Sequence, residues 1–151
     1  MDRLDIALSS GISAFESKQF TRALRLLSPL AQQGVPEAQY RIAIIYQNSL
    51  GIVRNEANAY KWMYAAAEQG YDLAWHGLGY MYLNGDCAVR DEVEAAKWFR
   101  LAAEGGLAGS QATLGTMYER GLGVERDLTE AHNWYDKAGF NPDPTVPDPV
   151  D

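Results

Sequence analysis

Cysteine is almost absent from this chain. Cys87 is the only one in 151 residues, which excludes an internal disulfide framework and a cysteine-based zinc site and fits a reducing compartment. Histidine is nearly as scarce: His76 and His132 stand 56 residues apart, with no HExxH or CxxC spacing around them, so neither a metal nor a cofactor is expected. No GxSxG, phosphate-binding glycine loop or histidine paired with a nucleophile is present, and the expectation is a protein that is not an enzyme. No apolar run approaches the ~18 residues needed to span a bilayer, so membrane insertion is not expected. The N-terminus, MDRLDIALSSGISAF, lacks a basic segment followed by an apolar core. A cytoplasmic location is therefore expected, with a periplasmic or secreted one as the alternative if a signal peptide has been removed.

Basic charge is in deficit, and unevenly so. Residues 1–54 carry six basic and four acidic side chains, a balance of +2, whereas residues 55–139 carry seven and thirteen, a balance of −6. Residues 140–151 add three aspartates and no base, for the net −7 of the chain. Such a surface repels phosphate backbones, so nucleic acid is excluded as the expected partner and a neutral or basic protein or peptide is favoured. The carboxylates around one loop (Asp86, Asp91, Glu92, Glu94) do not have EF-hand spacing and are read as helix caps.

What the chain has in abundance is repetition. Trp62, Trp98 and Trp134 recur every 36 residues, as do Tyr46, Tyr82 and Tyr118, and Ala59, Ala95 and Ala131. Gly34, Gly70 and Gly106 share the interval, and so do Asn55, Asp91 and Asp127. Each copy reads as two helices. In the second, Ala74, Leu78, Gly79 and Tyr82 form one stripe at the helical period, and Gly85 stands where a left-handed C-terminal cap belongs. Asp91 and Glu94 then open a second helix like a capping box, Ala95, Trp98, Phe99, Ala102 and Ala103 line its apolar face, and Gly105 and Gly106 close it. Gly79 and Gly115 are expected to let paired helices approach closely, and the regular tryptophans and tyrosines are expected to be core. On that reading Trp98→Ala costs about 3–5 kcal/mol.

The pattern A…LG..Y..G.GV..D...A..W...AA..G in EAQYRIAIIYQNSLGIVRNEANAYKWMYAAAEQG, LAWHGLGYMYLNGDCAVRDEVEAAKWFRLAAEGG and SQATLGTMYERGLGVERDLTEAHNWYDKAG resembles Sel1-like repeats, relatives of tetratricopeptide repeats, over residues 37–139. The first copy departs at Ala43 and Asn48–Ser49, the second at Cys87, the third at Gly139. The N-terminal segment differs: Gly11 to Ala23 is 12 residues where Gly79 to Ala95 is 16. Its inter-helix loop is thus four residues shorter, and it resembles an ordinary tetratricopeptide repeat. The resemblance implies an all-α, right-handed α/α superhelical solenoid of four hairpins, one tetratricopeptide-like and three Sel1-like, at about 4–34, 37–70, 73–106 and 109–139. These form one domain, 1–139, followed by a proline-rich tail, 140–151, expected to be extended or disordered. No capping helix follows the last hairpin. Either the tail folds back through Phe140 and Val146, or the exposed end pairs two chains as a homodimer.

The resemblance also implies a function: a scaffold or adaptor whose first helices line a concave groove. Projected there are Leu8, Ile12 and Phe15; Tyr40, Ile44, Gln47 and Asn48; His76, Tyr80, Leu83 and Asn84; and Ala112, Thr116, Glu119 and Arg120. Exposed apolar and tyrosine side chains mark interaction sites, although a tight superhelix would instead bury several of them between repeats. Two other readings remain. One is an immunity or inhibitor protein whose acidic half speeds association with a basic toxin or enzyme. The other is a hydrolase like the cysteine-rich members of the family linked to penicillin binding, which rely on a disulfide in each repeat that this chain cannot form.

Overall fold

The computed structural model describes residues 2–140. They form eight α-helices and no strand: α1 (Arg3–Glu16), α2 (Phe20–Gln32), α3 (Pro36–Gln47), α4 (Glu56–Glu68), α5 (Asp72–Asn84), α6 (Glu92–Glu104), α7 (Ala108–Arg120) and α8 (Leu128–Lys137). Consecutive pairs make four hairpins, and the second helix of each packs on the first helix of the next. Neighbour-on-neighbour stacking of this kind is a solenoid. The connection at 17–19 is shorter than those at 85–91 and 121–127 by the four residues read from the sequence. No described helix is long and apolar enough to cross a membrane.

Local chemistry explains the boundaries. Asn55, Asp91 and Asp127 each accept the N–H three residues on, at 3.0, 3.0 and 3.1 Å, satisfying a donor the helix leaves orphaned. Each of the three longer hairpin loops then needs two left-handed residues, whereas the loop at 17–19 has one, Lys18. The first is Ser49, Gly85 or Gly121 (φ 55°, 64°, 68°) and the second Gly51, Cys87 or Gly123 (φ 73°, 65°, 69°). The departures at Ser49 and Cys87 therefore leave the loop's shape unchanged, at a cost of about 1–2 kcal/mol each for a side chain in this region.

Within a hairpin, paired helices are matched by volume. A side chain on Gly79 would stand 2.8 Å from the Phe99 ring, and one on Gly115 2.9 Å from Tyr135. In the first Sel1-like copy the small position is Ala43, and its counterpart is the slimmer Met63 in the same core cluster. Between hairpins, one hydrogen bond recurs: Gln39, Trp75 and Gln111 donate to the carbonyls of Ala31, Ala67 and Ala103 at 3.1, 3.0 and 3.1 Å. Donor and acceptor both follow the 36-residue register, so each joint is built the same way.

The core corrects one expectation. Trp134 is buried, but Trp62 and Trp98 are only half-buried, as are Tyr46, Tyr82 and Tyr118. The side chains sealed inside are their neighbours Met63 and Phe99, with Leu78, Met81, Leu114 and Met117. The indole is too large and too polar to vanish: the Nε1 donors of Trp98 and Trp134 are covered yet find no acceptor, which is tolerable only near the rim of a core.

The two ends differ. At the N-terminal end Ser9, Ser10, Ser13 and Ser17, with Gln19 and Arg22, line an open hollow of about 290 Å³. At the other end Tyr135 occupies the register of Phe99, and its hydroxyl lies 2.9 Å from Thr116 and donates to Glu119 at 2.6 Å. Phe140 follows, 63% exposed and 6.1 Å from the Tyr135 ring. The expectation of an extended tail falls on 141–151, outside the described residues.

Candidate partner-binding groove

The first helices α1, α3, α5 and α7 carry two kinds of position. One kind repeats: Ile42, Leu78 and Leu114, or Ile45, Met81 and Met117, all fully or nearly fully buried. The other kind changes from copy to copy, in the registers Tyr40/His76/Ala112, Ile44/Tyr80/Thr116, Gln47/Leu83/Glu119 and Asn48/Asn84/Arg120. Every residue projected onto the groove from α3, α5 and α7 belongs to the second kind, and all but Gln47 keep solvent exposure.

The projected residues do not share one fate. Leu8, Ile12 and Phe15 are half-buried; Leu8 and Phe15 pack on the first core cluster. Phe15 meets Phe20 edge-on at 5.7 Å and lies under the Arg41 guanidinium at 6.0 Å. Tyr40 rests against Tyr71, ring centres 5.4 Å apart, and burial, with Tyr71 beside it, raises its phenol pKa. Ile44 and Leu83 cover the second and third clusters. Gln47 is nearly buried and donates to Asp86 at 2.9 Å, and Asp86 also pairs with Arg54. This lock ties the second hairpin to the third.

His76 is likewise a joint. Its Nδ1 lies 2.7 Å from the hydroxyl of Ser110, which is fully buried, and its ring stands edge-on to Phe99 at 5.2 Å. Thr116 and Glu119 are bonded to Tyr135 as described. Tyr80 (48% exposed), Asn48, Asn84 and Arg120 remain open to solvent. The amides of Asn48 and Asn84 each donate to the carbonyl four residues back, at 3.1 Å, which leaves their side-chain oxygens to face outward.

Burial lowers the His76 pKa below 6.5. The unfolded state therefore takes up a proton at a higher pH than the folded state, and folding loses stability as pH falls below about 6.5. The urea midpoint of the wild type is expected to drop between pH 7 and pH 5 by more than that of His76→Gln. Equal drops would show that His76 is not held neutral by its site.

The 36-residue register also marks a feature on the opposite side that projection of the first helices missed. On α6, Val93 and Leu101 are exposed, whereas their counterparts are Ala57 and Thr129, Ala65 and Lys137. With Ala96, Lys97, Gly123 and Val124 they border a cleft of about 390 Å³. Cys87, half-buried in its loop, has its thiol pKa raised chiefly by burial, despite Arg54 3.6 Å away. It is not a poised nucleophile. No group of acidic, histidine or cysteine side chains able to hold a metal ion occurs among the described residues.

The comparisons with known proteins agree with this architecture. A solved Sel1 repeat protein from Oxalobacter formigenes is 34% identical, with a TM-score of 0.80, over 86% of this chain and 54% of its own. The structure of c5321, described as a protective antigen present in uropathogenic Escherichia coli strains and displaying an SLR fold, is 34% identical with a TM-score of 0.75, over 77% of this chain and 25% of its own. The chain thus spans about half and a quarter of the lengths of these two proteins. Helicobacter pylori cysteine rich protein B, 18% identical with a TM-score of 0.59 over 90% and 86%, shares the fold. The search of curated proteins gave no match. The Sel1 repeat model matches residues 36–71, 74–107 and 108–139, the three hairpins that share one register of caps, left-handed loop residues and joint hydrogen bonds, and the chain belongs to the Sel1 repeat family.

Proposed function

We propose that this chain is a non-catalytic adaptor that grips a peptide or partner protein along the face formed by α3, α5 and α7, centred on Tyr80. Sel1 repeats generally serve as scaffolds for protein–protein contact, and the family gives this reading its starting point. The observation that carries it is the exposure of Tyr80. A large aromatic ring stands half in solvent at a register where the neighbouring copies hold isoleucine and threonine, so the fold does not require it there. Tyrosine offers apolar area and a hydroxyl at low entropic cost, which suits an interface anchor. Asn48 and Asn84 add outward acceptors at either side. The partner's chemistry follows from the charge balance of −6 over residues 55–139: a neutral or basic surface is attracted and an acidic one repelled.

A photo-crosslinking residue at position 80 is expected to join the partner from native extract. Tyr80→Ala with Asn84→Ala, at unchanged helical content, is expected to lose it. A partner held equally by the double variant and crosslinked only from other positions overturns the groove assignment. The immunity or inhibitor reading rests on the same acidic surface. It requires a tight, one-to-one complex that weakens steeply with salt, whereas a groove anchored by Tyr80 is less salt-sensitive.

A further inference from the structure

The α6 cleft is apolar, exposed and peculiar to one repeat. We propose that it is the docking site of this chain's own C-terminal segment, 146–151, which lies outside the described residues. Three features of the cleft and segment argue for that occupant.

The first is spacing. Val93, Lys97 and Leu101 lie four and eight residues apart on one stripe of α6, so the two apolar ends are ~12 Å apart, with the ammonium midway. The segment VPDPVD places Val146 and Val150 four residues apart with Asp148 midway. Run as an extended strand with its two prolines on the opposite face, the segment turns these three side chains to one side and spans ~13 Å over four residues. Val146 on Leu101, Asp148 on Lys97 and Val150 on Val93 bring both apolar contacts and the charge pair together in one register.

The second is charge. The only basic side chains of α6, Lys97 and Arg100, both border the cleft. Arg100 is engaged with the Tyr118 hydroxyl and ring, and Lys97 has only an exposed contact with Glu94 at 3.6 Å. Glu104 is the one acid on the cleft's border, so Lys97 and Arg100 leave it with a net positive charge; residues 141–151 hold three aspartates and no base, and the rest of the acidic half repels them.

The third is reach. Leu101 and Lys137 share a register on successive second helices, and Phe140 follows three residues later. Both α6 and α8 pack on α7, each at ~10 Å, so they lie within ~20 Å of each other, a distance the residues from 140 to 146 can span. The tail arrives at the Leu101 end of the cleft and runs toward Val93, the direction the register above demands. Ala96 and Gly123 make room: the equivalent positions one repeat earlier are Tyr60 and Cys87, whose side chains border their own junction.

The test uses the full chain with Cys87→Ser and a spin label at Asp151→Cys. Methyl signals of Val93 and Leu101 are expected to broaden strongly while those of Leu27 do not. Lys97→Glu is expected to cut that broadening about fivefold, the effect of turning an exposed ion pair into a like-charge contact. Adding Asp148→Lys to Lys97→Glu is expected to restore it, which a merely structural role for Lys97 would not do. Equal broadening at Leu27 and Val93, or no recovery in the double exchange, overturns the proposal. So does broadening that appears only when labelled and spin-carrying chains are mixed, because the occupant is then the tail of a second copy.

Discussion

Phe99→Ala is expected to cost about 3–5 kcal/mol, the largest loss from any single truncation in this chain. The ring is 1% exposed, sits in the notch left by Gly79 and meets the His76 ring edge-on. Truncation therefore empties space between α5 and α6 of one hairpin, beside the histidine that joins it to Ser110 of the next. The cavity cannot collapse easily, because α5 and α6 are held together on both sides by other hairpins. Trp98→Ala removes a larger side chain but a less buried one, which carries an unsatisfied indole N–H, so its cost should be the smaller. Urea unfolding of the two variants side by side checks the order. A Trp98 variant less stable than the Phe99 variant would mean that the half-buried indoles, not the residues beside them, hold the repeats together.

Gly123→Ala is expected to cost about 2–4 kcal/mol, a large effect for one methyl group. The residue has φ 69°, and an added Cβ would stand 2.0 Å from the Glu92 carbonyl oxygen, a backbone atom in the first turn of α6. Cys87 holds the same register at φ 65° with a side chain in place, so the left-handed conformation alone is not prohibitive. The contact with α6 dominates. The loop must lift away from the helix, loosening the joint between the third and fourth hairpins and widening the α6 cleft. Thermal unfolding of Gly123→Ala beside Gly139→Ala is the control, since Gly139 also has positive φ (83°) but nothing within 4 Å of an added Cβ. Equal losses would assign the whole effect to φ.

The architecture was legible because its demands repeat. Asp91 and Asp127 announce helix starts, Gly85 and Gly121 helix ends, and Gly79 and Gly115 the tight crossings. Each of these is a local rule that tertiary context had no reason to override. Burial of the aromatics was less legible. The 36-residue spacing of Trp62, Trp98 and Trp134 identifies a structural role but not how deep the ring goes, and the deeper position one residue on varies between Met63, Phe99 and Tyr135, so it draws no attention in a pattern. For the groove, projection of the first helices picked out the open Tyr80, Asn48, Asn84 and Arg120. It could not see that His76, Gln47, Thr116 and Glu119 spend polar atoms on neighbouring helices, because Ser110, Asp86 and Tyr135 lie between 16 and 39 residues away. Reading the differences between copies, as Val93 and Leu101 illustrate, finds what the fold does not need.

The hydrogen bond from Gln39, Trp75 or Gln111 to the preceding Ala31, Ala67 or Ala103 has a consequence for how such a chain can change length. Each 36-residue copy carries a donor facing backward and an acceptor facing forward, so the coupling is the same at every joint. Apart from the bonds that do not repeat, His76 to Ser110 and Gln47 to Asp86, excising one whole unit, or duplicating it, leaves every plug with a socket. A cut at any other interval would strand one of them. The solenoid can thus grow or shrink in whole units like a train of identical carriages, which accords with solved relatives of which this chain spans about half in one case and a quarter in another.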